Sequence, residues 1–293
     1  MTTEPRKASR EPVPKQRKKG QRATDIVTYV ALIAAAAFAL LPLLWGLSTS
    51  LKPAVEASTW PPTWMPRNLT FDHYVTVLNN PKYIRYLLNT VGVTLAVMLI
   101  GVTLSAHAAW AVVRHRFIGK KTMLFLMWTT IMIPGISIIV PLYLIAVDVG
   151  LYDTYAVLVI VYCSTIVPTL VWLLRGFVAS IPAELEEAAR IDGCGRIAVF
   201  YRIVLPLLRP GLGAAAVLVF VTVWNEFLIG YALVLGDEHR LIQVGVYYFV
   251  TDTGIEWGPL MAGMVISVLP VVVLFASLQK FFIQGLTGGA VKG

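Results

Sequence analysis

The chain has 293 residues, of which 57% are hydrophobic and 14% charged, against about 25% charged in soluble domains. With a mean hydropathy of +0.74, this composition excludes an ordinary soluble domain. Its long, unbroken apolar runs also exclude a membrane barrel, whose strands are only about ten residues each, and leave a polytopic helical membrane protein whose net charge of +8 needs a topological explanation.

The chain opens on a polar tail, residues 1–24, holding "RKASREPVPKQRKKGQR". Such a tail sets topology, and contact with anionic lipid is the second use open to it. About 20 apolar residues cross a bilayer core, and six such runs are predicted: Ile26–Leu47, Leu87–Val113, Thr122–Val147, Thr154–Leu174, Leu212–Leu235 and Pro259–Ile283. The first is longer than a signal-peptide core and is read as a retained anchor. Between the first two, Lys52–Tyr86 carries "WPPTWMP", which cannot form a regular helix. "TFDHYVTVLNN" then predicts a short helix entered at Thr70. In span three, "IMIPGISIIVP" places Pro134, Gly135 and Pro141 where they predict a kink or a local break. A packing kink and a gate in a pathway both remain open there. Pro168 and Pro270 predict weaker kinks in spans four and six. Cys163 and Cys194 are placed for neither a disulfide nor a metal site.

Lys and Arg decide orientation. The side holding both termini, the Arg114–Lys121 loop and the Arg175–Gly211 loop carries 19 of them; the other side carries 5 (Lys52, Arg67, Lys82, Arg85, Arg240). Both termini are therefore expected in the cytoplasm. The expected layout is a tail at 1–24, a six-helix domain at 25–284 with a hairpin at about 176–210, and a tail at 285–293.

The hairpin reads "SIPAELEEAARIDGCGRIAVFYRIVLP". Ser180 and Pro182 are helix-start signals, and acidic residues crowd the first turns. Leu185, Ala188 and Ala189 share a face, and Glu186 and Arg190 are spaced for an i,i+4 pair. Gly193 is the expected left-handed cap. A second helix, about Arg196–Val204, is expected to end at Leu205 and Pro206. Small Ala188 and Ala189 permit close approach by a partner, and Glu187 offers it a charge.

Glu187-Ala188-Ala189, three residues, Gly193, nine residues, Ile203, one residue, Leu205-Pro206 matches the EAA signature of ABC importer permeases at every fixed position. The six spans, "WNEF" in span five and the ending "GLTGGAVKG" resemble the smaller permease subunit of the maltose-type branch, over nearly the whole chain after residue 24. The resemblance implies a bacterial cell-membrane subunit that pairs with a second permease, two ATP-binding subunits and an extracytoplasmic sugar-binding protein. It implies a coupling helix with Glu187, Ala188, Ala189, Asp192, Gly193, Ile203, Leu205 and Pro206 facing the ATPase, and Gly285–Gly293 as a second contact. ATP and magnesium would belong to the partners, this chain binding no cofactor and no nucleic acid. The chain itself has no Gly-x-x-x-x-Gly-Lys-Ser/Thr loop and no nucleophile–base constellation, so it is not expected to be an enzyme.

For the substrate path, Trp224, Asn225 and Glu226 in "VTVWNEFLIG" are the candidates. An intramembrane carboxylate usually faces a cavity or a partner, and an interhelical hydrogen bond is its other reading. His107 in span two is read as a packing hydrogen-bonder. In the last outside loop, Tyr247, Tyr248 and Phe249 are candidates for contact with the binding protein, an interfacial aromatic belt being the alternative. An ABC permease for a peptide or amino acid, and an ion-coupled transporter using Glu226, remain the rival readings.

Overall fold

The computed structural model describes residues 19–251 and 254–288. Most of the expected N-terminal tail and the last residues of the C-terminal one, 289–293, lie outside them. The chain divides into two compact units, Met1–Gly46 and Leu47–Gly293. In the first, helix α1 (Lys19–Ser50, whose last residues belong to the second unit) carries an exposed apolar surface that includes Ile26, Ile33 and Phe38.

In the second unit, α2 (Ala54–Ala57) and α3 (Asp72–Leu78) flank the proline-rich stretch, which is irregular as expected. The Thr70 hydroxyl accepts from the Asp72 N–H at 3.1 Å and opens α3. The centre of the unit is a pair of long helices, α4 (Pro81–Arg114) and α7 (Tyr155–Ser180). They pack in contact: a Cβ on Gly101 would lie 3.7 Å from Ile166, an ordinary van der Waals distance. Val93, Val97, Ala109, Leu158, Leu170 and Leu174 fill the core around them. Leu88, Leu95 and Leu99 of α4 are exposed, which is unremarkable in lipid, where apolar surface carries no hydrophobic penalty.

Span three is broken in two. Helices α5 (Lys120–Met132) and α6 (Gly135–Asp148) meet at 104°. Ile133, which precedes Pro134, is extended (ψ 123°), as steric contact with the proline ring requires. Pro141 lies inside α6 without ending it. Among the described residues, four helices are long and apolar enough to cross a membrane, and up to six crossings result if each bent pair counts as one.

Beyond α7 come α8 (Ala183–Ile191), α9 (Arg196–Val199), a π-helical turn (Phe200–Val204) and α10 (Leu205–Leu207). A 76° bend at Leu208 then leads into α11 (Arg209–Asn225), which packs on α4, α7 and the last helix. The fifth run was expected to be continuous over Leu212–Leu235. Instead it stops at Asn225 and restarts as α12 (Leu228–Leu233). A short helix, α13 (Ile242–Gly245), a 3-10 turn (Val246–Phe249) and an antiparallel pair, β1 (Val250–Thr251) with β2 (Gly254–Ile255), precede α14 (Trp257–Gly288). Helix α14 includes the start of the expected C-terminal tail.

The loop after α12 is stapled to the starts of α4 and α7. Asp237 accepts from Lys82 at 2.6 Å, Tyr86 at 2.7 Å and Arg240 at 2.8 Å. Hydrogen bonds from Lys82 and Tyr86 hold its carboxyl below the ordinary value. Asn89 donates to the carbonyls of Glu238 and Arg240, and Asp153 accepts from the Leu235 and Gly236 N–H groups. The backbone comes so close here that a Cβ on Gly245 would lie 2.1 Å from the Tyr86 ring. Tyr86 is buried and held by Asp237, so it cannot swing aside. Gly245→Ala is expected to destabilise the unit by about 1–3 kcal/mol, read as a lower thermal midpoint in detergent. Gly92→Ala, where a Cβ meets nothing within 4 Å, is the matched control expected to leave the midpoint in place.

Candidate functional site: the hairpin and its anchor

Helix α8 starts after Pro182 with Glu184 and Glu186 in its first turn, where carboxylates complement the helix dipole. Ser180, expected to open it, instead ends α7, its hydroxyl donating to the Phe177 carbonyl at 2.7 Å. Gly193 closes α8 with φ +87°. Its N–H donates to the Arg190 carbonyl at 3.0 Å, and the Cys194 N–H to the Ala189 carbonyl at 2.9 Å. This is the Schellman arrangement, which glycine adopts without a Cβ penalty.

The returning helical arm of the hairpin does not end at Leu205 and Pro206. Pro206 has no N–H and its ring crowds the carbonyl four residues back. The backbone widens instead of stopping, and the Leu205 N–H donates to the carbonyl of Phe200, five residues back. The helical path then runs through Leu207.

The hairpin has two faces. Glu187, Ala188, Ile191, Asp192, Gly193 and Ile197 are exposed, and Leu185 is half-exposed. Ile191 and Ile197, 87% and 74% exposed, make the tip apolar as well as charged. Ile203 and Leu205 are partly buried and Pro206 is exposed. Ala189 is buried, so it packs within the chain instead of offering a small surface to a partner.

Glu186 departs furthest from expectation. It makes no pair with Arg190; it turns inward and is 2% exposed. Its carboxylate accepts from Arg114 Nε at 2.6 Å and from Trp110 Nε1 at 3.0 Å, both on the last turns of α4. The same guanidinium donates through Nη2 to the carbonyls of Val178 (3.2 Å) and Ile181 (2.5 Å), at the end of α7. One arginine thus ties together α4, α7 and α8. Phe200 packs between the rings of Trp110 and His107, with centroids 5.1 and 4.3 Å away. His107 Nδ1 lies 2.8 Å from the Thr103 carbonyl, which can only accept. In the neutral ring Nδ1 therefore carries the proton, and Nε2 accepts from the Tyr201 hydroxyl at 3.1 Å. Sequence reasoning counted Arg114 only toward topology and His107 only as packing. The sole signal in the sequence was an arginine at the end of a span with an extra glutamate before Glu187.

In span five, Glu226 is extended (ψ 122°) at the break between α11 and α12. Its Oε1 accepts from the N–H groups of Leu228 (2.9 Å) and Ile229 (3.0 Å). Its Oε2 accepts from Ile229 (3.0 Å), from Gly230 (3.4 Å) and from the Tyr162 hydroxyl (2.9 Å). The carboxylate therefore caps α12, satisfying donors that a helix start leaves orphaned, and ties it to α7. Trp224 is 3% exposed, stacked on Phe220 and donating to the Ser267 carbonyl at 2.9 Å. Asn225 is exposed, its amide donating to Val221 of its own helix at 2.7 Å. Beside them, Phe227 packs against both Tyr231 and Tyr247, each at 5.4 Å. Tyr231 and Tyr247 are exposed, as is Tyr248; Phe249 is buried against Tyr83, so it offers no surface to a partner. Among the described residues, no group of three or more His, Cys, Asp or Glu is placed to hold a metal ion.

Residues 79–288 match the family described as "Binding-protein-dependent transport system inner membrane component", and the chain belongs to that family. It is a permease of the ABC importer class and a multi-pass membrane protein. The diacetylchitobiose uptake system permease protein DasC of Streptomyces coelicolor is 32% identical over 270 residues, covering 92% of this chain and 95% of that protein. The trehalose transport system permease protein SugB of Mycobacterium tuberculosis is 34% identical, covering 87% and 93%. The maltodextrin transport system permease protein MdxG of Bacillus subtilis is 32% identical, covering 92% and 96%. Among solved structures, a chain of a bacterial ABC transporter involved in importing the acidic polysaccharide alginate superposes with a TM-score of 0.81 at 23% identity, covering 91% of this chain and 99% of that one. At that identity the likeness shows the fold.

Glu226→Gln is expected to lower uptake while the subunit still assembles. The carboxamide turns one acceptor into a donor that faces backbone N–H groups, at a cost of about 1–3 kcal/mol. Uptake rate and thermal midpoint, measured together on the purified complex, check this; a variant normal in both would show that α12 needs no cap.

Proposed function

We propose that this chain forms half of the path by which a carbohydrate enters a bacterial cell, with both termini and the hairpin in the cytoplasm. A second permease completes the path, two ATP-binding subunits drive it, and an extracytoplasmic binding protein delivers the sugar. The observation that carries the coupling role is the hairpin tip. A glycine-capped turn presents Glu187, Ala188, Asp192, Ile191 and Ile197 outward, exposed among the described residues. That surface suits the cleft of a partner subunit, and closure of two ATPases would move it as a rigid body.

The sugar reading rests on relatives named for diacetylchitobiose, trehalose and maltodextrin uptake. It is supported by the exposed Asn225 amide near the Phe227–Tyr231–Tyr247 ring cluster, since amides bond hydroxyls and aromatic faces stack on the apolar face of a sugar ring. Of the three path candidates, Asn225 is the accessible one. Trp224 and Glu226 shape the break that presents it. Because Glu226 is occupied by five internal donor contacts, a proton-carrying role has no support.

Uptake in cells that depend on this chain tests the reading. Sugar uptake that stops with orthovanadate and survives a protonophore supports ATP-driven import. Uptake that collapses with the protonophore and ignores vanadate overturns it in favour of ion coupling.

A further inference from the structure

The proposed function gives the outward face of the hairpin a role. It says nothing of the inward face, where a buried carboxylate is held by two donors from α4 and shares its arginine with the end of α7. A buried ion pair is a poor source of net stability, because desolvation of both charges offsets their attraction. What such a pair supplies is directional fixation: two charge-assisted hydrogen bonds to one carboxylate leave it no second orientation.

We propose that Trp110, Glu186 and Arg114 form the mechanical joint that converts movement of the hairpin into movement of spans two and four. The proposal rests on the reading of the hairpin as the contact for the ATP-binding subunits. Glu186 directly precedes the outward-facing Glu187, so a displacement of α8 at its partner is delivered to the carboxylate within one residue. From there it passes through Arg114 Nε and Trp110 Nε1 to the end of α4, and through Arg114 Nη2 to the carbonyls of Val178 and Ile181 at the end of α7. Helices α4 and α7 form the centre of the membrane unit, so a push on both is a push on the path. The return arm of the hairpin follows a parallel route: Phe200 is wedged against Trp110 and His107, and Tyr201 is bonded to His107. Both arms thus converge on the last two turns of α4. The π-helical turn that places Phe200 and Tyr201 there is a local irregularity of a kind found often at functional sites. Glu186, Arg114 and Trp110 are positioning residues: none faces the partner or the path.

The test is the number of sugar molecules imported per ATP hydrolysed, in proteoliposomes holding the full complex with its sugar-loaded binding protein. Glu186→Gln keeps the shape and an acceptor but removes the charge; Trp110→Phe keeps the ring and removes one donor. A purely structural defect lowers the amount of complex and scales uptake and ATP hydrolysis down together. A loosened joint leaves hydrolysis per complex within about twofold and lowers sugar per ATP by about tenfold in Glu186→Gln, the size expected for weakening hydrogen bonds to a buried charge, and by less in Trp110→Phe. An unchanged ratio in the variants overturns the joint. Should Glu186→Gln fail to assemble, the ratio in Trp110→Phe decides in the same way. The unaltered complex reports on the underlying reading: without ATP-driven uptake in that control, the importer assignment falls and the joint with it, whereas normal coupling in the control and in both variants removes the joint alone.

Discussion

Replacing Arg114 by alanine is expected to destabilise the membrane unit by about 3–5 kcal/mol, the usual penalty for removing one partner of a buried pair. The side chain does more than neutralise a charge. Without it the Glu186 carboxylate, 2% exposed, keeps only the Trp110 N–H, and the carbonyls of Val178 and Ile181 lose their guanidinium donor. Arg114→Lys should recover part of the loss and no more. A lysine ammonium keeps the charge but lacks the planar fork that reaches a carboxylate and two carbonyls at once. Thermal unfolding of the purified subunit or complex reads both variants, with Lys121→Ala, exposed in the first turn of α5, as the neutral comparison. An Arg114→Ala midpoint equal to that of the unaltered protein would show that the anchor carries no stability.

Gly193→Asp is expected to abolish uptake while the subunit stays in the membrane at normal levels. At φ +87° any side chain is strained, by about 1–2 kcal/mol for an ordinary residue, and less for Asp, which tolerates the left-handed region. A Cβ there meets nothing within 4 Å among the described residues, so the fold accommodates it. What the substitution changes is the tip, where a third carboxylate joins Glu187 and Asp192 on the surface proposed to enter a partner's cleft. Membrane level, uptake, and retention of the ATP-binding subunit on the purified variant separate the effects. Normal uptake would remove the coupling role from Gly193.

How much of this was legible in the sequence follows from how local each cause is. The break at Pro134 was readable because a proline dictates the backbone of the residue before it. The cap at Gly193 was readable for the same reason, since a left-handed turn after an amphipathic run is a property of the residue itself. The break at Glu226 was not, because glutamate carries no breaking signal; its carboxylate gathers the N–H groups of α12, and the Tyr162 hydroxyl from span four, 64 residues away, also donates to it. Glu186 was misassigned to Arg190 because helix spacing shows the neighbour four residues on, whereas its partner Arg114 is 72 residues away in sequence. Pro206 was read as a stop because the rule for proline assumes an α-helical ladder, and the π-helical turn lets the chain pass. In the outer loop Tyr247, Tyr248 and Phe249 looked alike as aromatics, and only packing against Tyr83 separates the buried Phe249 from its exposed neighbours. Composition located the membrane and spacing located the hairpin, but the contacts that join the hairpin to the membrane helices depend on tertiary structure.

The central claim is that this chain works only as part of an ATP-driven assembly. The most direct measurement is purification of the tagged chain in mild detergent from its native cells, with the associated subunits identified by mass. The expected result is an ATP-binding subunit and a second permease, with a binding protein recovered when sugar is present. A stable homo-oligomer with no ATP-binding subunit would contradict the account.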